Sequence, residues 1–315
     1  MIQFIKSGTV IPFMRIKGLV EIVCVAMVVA SIVSMCVRGL NWGLDFTGGI
    51  VVETEFPQNI DLEQVRDAYA AEGIEGATQH FGTAKDVVVR VAPKEGLDQQ
   101  SVTNKVMRAS RSIDENVKLS RSEYVGPAVG EELVQSGILA IVVSLIAILA
   151  YIAFRFEWRM ATGAVISLTY DVIVVMGVFS FFLIEYDLTV LASVLTVVGY
   201  SLNDKIVVFD RIRENATKLS RSTSMENLFD VSLTQTLART IITSGTTLIT
   251  VVSLLIFGGE MIYGFALALF VGIIFGTISS IYVASTWALI LGIKRVNLVP
   301  KKIEKKETDG METMD

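Results

Sequence analysis

The sequence predicts a polytopic α-helical membrane protein, with six transmembrane helices and a small α+β domain between the first two helices. Hydrophobic residues make up 52% of the 315 residues and charged residues only 19%, whereas about 25% of a soluble domain is charged. The apolar residues concentrate between 137 and 293, while 40–135 has the composition of soluble protein. This distribution excludes a cytosolic enzyme and a disordered chain. The net charge of −5 offers no basic surface to nucleic acid.

Six apolar stretches are long enough to cross a bilayer, whose core needs about 20 apolar residues in a helix. They are 19–37, 137–154, 161–184, 188–209, 240–258 and 262–292. The first follows the basic residues Lys6, Arg15 and Lys17, as a signal peptide would, but no small-x-small cleavage site follows it. We therefore expect it to remain as a membrane anchor.

The positions of lysine and arginine predict the orientation of the spans. Basic residues occupy the N-terminus, the turn after the second span, the loop after the fourth span and the tail, while the short loops 185–187 and 258–260 have none. All basic segments fall on one side, so both termini are predicted to be cytoplasmic. The predicted division is an N-terminus with the first span, an outer domain, a five-helix bundle and a charged tail, at 1–37, 38–136, 137–293 and 294–315.

The outer domain shows alternating strand and helix patterns. They predict strand Gly49–Phe56, a helix capped by Asp61 and ended by Gly73, strands Ala77–Phe81 and Asp86–Val91 joined by a turn at Gly82 and Thr83, helix Gln99–Ile113 and strand Val117–Val125. The order βαββαβ is that of a ferredoxin-like split sheet. Because no nucleophile–base pair, phosphate loop or ligand cluster is visible, we expect a binding or lever module, with no catalytic residue, metal or cofactor.

Charged residues inside the spans are the candidate functional residues, because each costs roughly 2.5–3.5 kcal/mol at a helix centre. The candidates are Glu21, Asp171, Asp204 and Arg239. Asp204 lies in the inner third of the fourth span, and Arg239 begins the fifth span from the same side, so the two are predicted to pair. Protonating Asp204 would free Arg239 for other partners. The two side chains would then have a paired and an unpaired arrangement, and binding of a proton would shift the equilibrium between them.

Polar residues extend from both charges along helical faces. They are Thr196, Tyr200 and Asn203 near Asp204, and Thr243, Thr246, Thr250 and Ser253 after Arg239. Facing stripes could hold water and hydroxyls that lead to the carboxylate. The alternative, favoured for each single hydroxyl, is hydrogen bonding that holds the helices together. Asp171 has two interpretations, relay support or a structural role with Thr169 and Tyr170.

Small residues recur at every fourth position of the last span, where they would let helix backbones approach closely. They are Gly264, Ala268, Gly272, Gly276, Ser280, Ala284, Ala288 and Gly292, and we expect Gly272 and Gly276 to pack against a neighbouring helix. Since this run is longer than one span, we also expect a tilt, a kink or an interfacial end.

Several motifs of the sequence are similar to those of one known family of membrane proteins. One is Asn41-Trp42-Gly43-Leu44-Asp45-Phe46-Thr47-Gly48-Gly49, which is similar to the motif that opens the family's periplasmic domain. Val125-Gly126-Pro127 is similar to the end of that domain, and Phe154–Arg159 to the first cytoplasmic turn. Four further segments are similar to the signature of one branch, namely Gly199–Asp204, Asp210–Asn215, Leu233–Thr236 and Arg239–Thr247. From residue 10 to residue 296, the sequence therefore resembles the SecD/SecF family of protein-export membrane proteins, and within it the SecF branch.

This resemblance implies a six-span half of an RND-type (resistance-nodulation-division) transporter in the bacterial inner membrane. SecD would supply the other half, with association to the SecYEG channel and YajC. The family uses the proton-motive force for the late, ATP-independent stage of export of unfolded preproteins. Asp204 matches its proton-relay aspartate and Arg239 its matching arginine. At Lys205, where a small hydroxyl residue is expected, we expect the side chain, about 100° from Asp204 around the helix, to extend to the membrane surface.

Three alternatives remain open from the residues themselves. The first is half of an RND-type exporter for small molecules or lipids, against which the small outer domain argues. The second is an intramembrane aspartyl protease that uses Asp171 and Asp204. The residues Leu202 and Asn203 stand where such enzymes have Gly-x-Gly. The third is a purely structural subunit.

Overall fold

The computed structural model describes residues 9–81, 83–93 and 98–298. Within them, six helical segments are long and apolar enough to cross a membrane, and they lie at the six stretches that the hydropathy predicted. The helices are α1 Lys17–Arg38, α5 Pro127–Arg155, α6 Trp158–Phe182, α7 Leu188–Lys218, α8 Met225–Phe257 and, for the sixth segment, α9 Glu260–Ile281 with α10 Val283–Ile290.

The helices extend beyond the apolar stretches. Helix α5 begins at Pro127 rather than at 137, because Pro127 occupies its first turn, where a missing N–H costs nothing. Helix α7 continues to Lys218, and α8 begins at Met225 with Ser224 as its cap. The sixth segment breaks at Tyr282 (φ −100°, ψ −58°), one of the irregularities expected for a run longer than one span.

The segment between α1 and α5 contains a four-stranded antiparallel sheet and two helices. Its elements are β2 Gly49–Glu55, α3 Leu62–Ala71, β3 Gly76–Phe81, β4 Thr83–Val91, α4 Gln99–Ile113 and β5 Lys118–Val125, in the order the periodicity predicted. The strand order is β3-β4-β2-β5. Both helices are capped by aspartates, as Asp61 accepts from the N–H of Glu63 and Asp98 from that of Ser101. Gly82, in the predicted β3–β4 turn, lies outside the described residues.

The core of this α+β domain lies between the sheet and its helices. It contains Ile50 and Val52 from β2, Val87 and Val89 from β4, and Val65 and Val106 from the helices. Alternate residues of a strand face the same side, which explains the spacing of two in both strands. Val51 and Val88, which lie between these residues along the strands, pack on the other sheet face with Leu44.

A second, two-stranded parallel sheet joins the α+β domain to the helix bundle. Strand β1 (Asn41–Trp42) pairs with β6 (Glu185–Tyr186), which lies in the connection between α6 and α7. The short helix α2 (Leu44–Thr47) follows β1. The sequence predicted only a loop at 185–187. We call the end of the bundle that carries β6 the domain side, and the opposite end the tail side.

Helices α6 and α7 form the centre of the bundle. In the most apolar 18-residue stretch of each of these two helices, half of the residues are buried, whereas the corresponding share is 6% in α1 and 11% in α5. On the tail side, the short helix α11 (Arg295–Leu298) places Arg295 over the end of α7. Its guanidinium donates to the carbonyls of Ala216, Leu219 and Ser220, as a cation does at the negative end of a helix. Of the predicted tail, 299–315 lies outside the described residues.

Candidate functional site

A fully buried ion pair lies where α6, α7 and α9 meet. The Lys205 ammonium is 3.1 Å from Asp171 Oδ2, and neither side chain is exposed. Lys205 Nζ also donates to Ser201 Oγ at 2.5 Å and to Ser279 Oγ at 3.5 Å. Ser201 in turn donates to the same Asp171 oxygen at 2.6 Å. We call these four residues the buried polar cluster, and it links three helices inside the bundle.

The sequence builds this cluster through helix spacing and small residues. Ser201 and Lys205 are four residues apart on α7, so they lie on one face. On α9, a Cβ at Gly276 would lie 3.0 Å from Ser201 Oγ, and one at Gly272 only 2.3 Å from Val197 Cγ2. Gly272 and Gly276 therefore lie against α7, and their lack of a side chain lets the two helices approach closely.

The structure corrects the expectation that Lys205 extends to the membrane surface. Its side chain is fully buried and points towards α6, because a carboxylate and two hydroxyls satisfy its charge there. Asp171 is held by Ser201 and Lys205, and not by Thr169 and Tyr170 as its structural interpretation expected. The Thr169 hydroxyl donates to the carbonyl of Val165, and the Tyr170 hydroxyl donates to Met27 Sδ at 3.7 Å.

Asp204 lies beside this cluster but outside its hydrogen bonds. The residue is 4% exposed, and within the described part of the chain its carboxylate accepts no hydrogen bond; it interacts through space with the charges of Lys205 and Arg239. The predicted direct pair with Arg239 is not formed within the described structure, where the two side chains interact only as charges through space. Arg239 is exposed on the surface of α8.

The polar residues that follow Arg239 are satisfied within their own helix. The hydroxyls of Thr243, Thr246, Thr250 and Ser253 each donate to the carbonyl four residues earlier. Thr196 does the same on α7. One contact crosses from α7 to α8, where the hydroxyl oxygens of Tyr200 and Thr247 are 3.4 Å apart, within hydrogen-bonding distance. A continuous chain of hydroxyls between α7 and α8 is therefore not built by these side chains.

An open polar cleft of about 640 Å³ lies between α7 and α8 on the tail side. It is lined by Asn203, Ile206, Val207, Asp210, Arg211, Glu214, Gln235, Thr236 and Arg239. The cleft is therefore lined both by Asn203, which is adjacent to Asp204 in the chain, and by Arg239. Along α7, Thr196, Gly199 and Asn203 form an exposed, largely polar face, which is unfavourable against lipid.

Ionisable groups also gather on the domain side, outside the membrane-spanning helices. Burial raises the pKa of the Glu185 carboxyl, and the Arg90 guanidinium, with Nη2 2.7 Å from Glu185 Oε2, opposes part of that rise. Burial and the neighbouring charge of Asp187 raise the pKa of Tyr186 to about 12.

Sequence reasoning found Asp171, Asp204 and Arg239 but missed Ser201, Ser279 and the inward orientation of Lys205. The four-residue spacing of Ser201 and Lys205 was a usable signal, since it places both on the same face of α7. Ser279 gave no comparable signal, because only the packing of α9 on α7 brings it to the ammonium.

The fold and the site define a multi-pass membrane protein with an inserted α+β domain and ionisable residues inside its helices. Two family models match this chain. Residues 33–58 match the SecD/SecF GG motif, and residues 105–294 match the model described as "Protein export membrane protein SecD/SecF, C-terminal".

Curated relatives give the branch of the family. The chain is 50% identical over 308 residues to the protein translocase subunit SecF of Vibrio alginolyticus, covering 97% of this chain and 98% of the relative. It is 49% identical over 286 residues to SecF of Escherichia coli O157:H7, covering 90% and 88%. The chain belongs to the SecF family of protein translocase subunits, and its role is in protein export.

Among solved structures, the chain is similar to SecDF of Thermus thermophilus, titled a translocon-associated membrane protein. The TM-score is 0.81 at 33% identity, and the match covers 92% of this chain and 40% of the solved chain. A second SecDF structure, in a form titled super-membrane-facing, gives a TM-score of 0.67 at 34% identity with the same coverage. The chain therefore spans less than half the length of these structures.

Proposed function

We propose that this protein couples inward proton flow to the late, ATP-independent steps of protein export across the bacterial inner membrane. The observation that carries this proposal is the state of Asp204, a buried carboxylate without a hydrogen-bond partner in the described chain. An ionised carboxylate without such a partner is costly among apolar helices, whereas the neutral acid is tolerated. Asp204 is therefore suited to bind and release a proton.

The neighbouring charges support different roles for the two intramembrane aspartates. Asp171 is held by the Lys205 ammonium and the Ser201 hydroxyl, so its charge is already compensated. Asp204 is left as the exchangeable carboxylate. Arg239, on the cleft wall, supplies a mobile positive charge that approaches Asp204 when the carboxylate is ionised.

The cleft supports a route for protons on the tail side. The cleft is lined by Asn203, next to Asp204 along the chain, and by Arg239, so water that entered it would reach both. On the domain side of Asp204, the half-buried Tyr200 lies one turn away along α7, and Thr243 lies one turn beyond Arg239 on α8. We assign Asn203, Tyr200 and Thr243 supporting positions along this route, with Asp171 as the fixed counter-charge of Lys205.

The exposed polar face of α7 supports assembly with a second membrane protein. Polar groups that face lipid are unfavourable, so the exposed side chains of Asn203 and Arg239 need a protein surface against them. We propose SecD as that partner, because this chain matches 40% of the SecDF structure. Association with the SecYEG channel and YajC, and with unfolded preproteins as cargo, completes the proposed assembly.

The distribution of lysine and arginine supports the proposed orientation. We propose that the tail side, with both termini, faces the cytoplasm, and that the α+β domain is periplasmic. The element order and the antiparallel strand order β3-β4-β2-β5 support a ferredoxin-like fold for this domain. The proposed domain boundaries remain 1–37, 38–136, 137–293 and 294–315.

The buried polar cluster argues against an intramembrane aspartyl protease. Such chemistry needs two carboxyl groups that share a proton, but Asp171 is held in an ion pair with Lys205. An exporter of small molecules or lipids has no comparable observation in its favour, and the similar SecF proteins are named translocase subunits.

The test is Asp204→Asn in the full complex, reconstituted in vesicles with an imposed proton gradient. We expect the variant to lose gradient-driven export and proton movement, measured with a pH-sensitive dye, while the complex still assembles. The matched control is Asp67→Asn, an exposed carboxylate on α3. Normal export and proton movement with Asp204→Asn would rule out the proposed relay.

A further inference from the structure

The α+β domain makes a close non-covalent junction with the domain-side end of α7. Asn41 and Trp42 of β1 pair in parallel with Glu185 and Tyr186 of β6. Beyond the pairing, the Gly43 N–H donates to the Tyr186 carbonyl at 2.8 Å. A Cβ at Gly43 would lie 2.9 Å from the Asp187 Cβ, so this close approach requires a glycine.

Arg90 of the four-stranded sheet binds both strands of this junction. Its Nη1 donates to Asn41 Oδ1 and to the Trp42 carbonyl, both at 2.9 Å. Its Nη2 lies 2.7 Å from Glu185 Oε2, and the two side chains are 17% and 23% exposed. A single guanidinium on β4 therefore connects the domain's core sheet to the segment that enters α7.

Asp45 makes a second connection, directly to α7. Its Oδ2 accepts from the N–H of Leu188, the first residue of the helix, at 3.0 Å. The first N–H groups of a helix have no partner within it, and a carboxylate there is favoured by the helix dipole. Asp187 caps the same end through the N–H of Val190 at 2.8 Å. The α+β domain thus supplies part of the cap of α7.

Helix α7 joins this junction to the proposed relay. Asp204 lies sixteen residues after Leu188 on the same unbroken helix, about 24 Å along its axis at 1.5 Å per residue. The chain itself connects the domain to α1 and α5. The junction adds the one helix that carries Asp204 and Lys205.

We propose that Arg90 and Asp45 are positioning residues that fix the α+β domain to α7, so that a displacement of α7 at Asp204 is delivered to the domain. This inference rests on the proposed function, in which Asp204 exchanges protons. In this proposal the junction stays closed throughout the cycle and moves together with α7.

The first test separates proton movement from export in the reconstituted full complex. Arg90→Gln should lower gradient-driven export about tenfold, a coupling loss in the usual range, while proton movement continues. Exchanging the charges with Arg90→Glu and Glu185→Arg should restore only the part of the export that depends on the ion pair, because a glutamate at position 90 cannot donate to Asn41 Oδ1 and the Trp42 carbonyl. The control is Arg108→Gln, which removes an exposed ion pair with Glu72 on the same domain. Normal export with Arg90→Gln at matched protein amounts would overturn the proposal.

The second test replaces the ion pair by a covalent bond. Asn41 and Glu185 are register partners, and neighbouring strands lie within disulfide reach. We expect Asn41→Cys with Glu185→Cys, in a chain with Cys24→Ala and Cys36→Ala, to export poorly when reduced and to recover when oxidised. Loss of export on oxidation would show that the junction must open, which contradicts a permanent link.

The two tests distinguish this inference from the proposed function. If Asp204→Asn leaves proton movement intact, the relay is wrong, whatever Arg90→Gln does. If Asp204→Asn stops proton movement but Arg90→Gln and the reduced cysteine pair export normally, the relay stands and the junction does not transmit its motion.

Discussion

Lys205 shows how a single side chain organises the interior of the bundle. Its ammonium neutralises Asp171 and orders two serines from different helices. In a low-dielectric interior, such a pair is stable only while both members are present, since either charge alone is left unpaired. The pair therefore makes the packing of α6 against α7 depend on two particular residues.

Removing one member of the pair should destabilise the protein strongly. We expect Lys205→Met, which keeps the length of the side chain, to lower the free energy of unfolding by about 3–5 kcal/mol, because Asp171 remains as a buried charge. Adding Asp171→Leu should recover most of this loss. The measurement is denaturant unfolding of the purified protein in detergent micelles.

The control for this experiment is an exposed ion pair. Glu226→Gln removes the contact between Lys17 and Glu226, whose side chains are 31% and 61% exposed, and should change the free energy of unfolding by less than about 1 kcal/mol. Equal stability of Lys205→Met and Glu226→Gln would mean that the buried pair contributes no more than the surface pair.

The sequence pointed to Asp171, Asp204 and Arg239, but it did not give their partners. Asp171, Asp204 and Arg239 stand out because charges are rare in membrane spans. Their contacts depend on how α6, α7 and α9 rotate and pack, which a helical wheel for α7 alone does not contain. Lys205 was therefore expected at the membrane surface, although a carboxylate on another helix holds it inside.

At the scale of elements, the approach of α9 to α7 depends on glycines. Gly272→Ala would place a methyl group 2.3 Å from Val197 Cγ2, so the helices must separate. We expect a loss of about 1–3 kcal/mol in the free energy of unfolding, as for other overpacked cores. Val197→Ala in the same chain should relieve the clash and recover part of the stability.

The matched control is another helical glycine with free space around it. No atom outside its own helix backbone and chain neighbours lies within 4 Å of a Cβ at Gly245, so Gly245→Ala should raise the free energy of unfolding by about 0.5–1 kcal/mol through lower backbone entropy. If Gly272→Ala were equally favourable, close packing of α9 on α7 would be contradicted.

Most elements could be predicted because their signals are local. Helix α4 begins and ends where its periodicity placed it, at Gln99 and Ile113. The pairing of β1 with β6 could not be predicted. Each strand has two residues, too few for a period, and their partners are more than a hundred residues apart.

At the scale of the whole molecule, the proposed orientation can be tested with single cysteines. In a chain with Cys24→Ala and Cys36→Ala, we expect Lys105→Cys on the α+β domain to react with a membrane-impermeant maleimide in cells whose outer membrane has been permeabilised. Ser222→Cys, in the exposed connection between α7 and α8, should react only after the inner membrane is also opened. The reverse pattern would invert the orientation that the basic loops predict.

The buried pair of Asp171 and Lys205 also has a consequence for how the protein enters the membrane. Helices α6 and α7 are joined by only five residues, 183–187, so they can enter the bilayer as a hairpin. Inserted separately, each helix would expose one of the two charges to lipid, at roughly 2.5–3.5 kcal/mol for each. Inserted together, they carry no net charge from this pair. We therefore expect the α6–α7 hairpin to be the unit that the insertion machinery releases into the lipid, before α8 and α9 are synthesised.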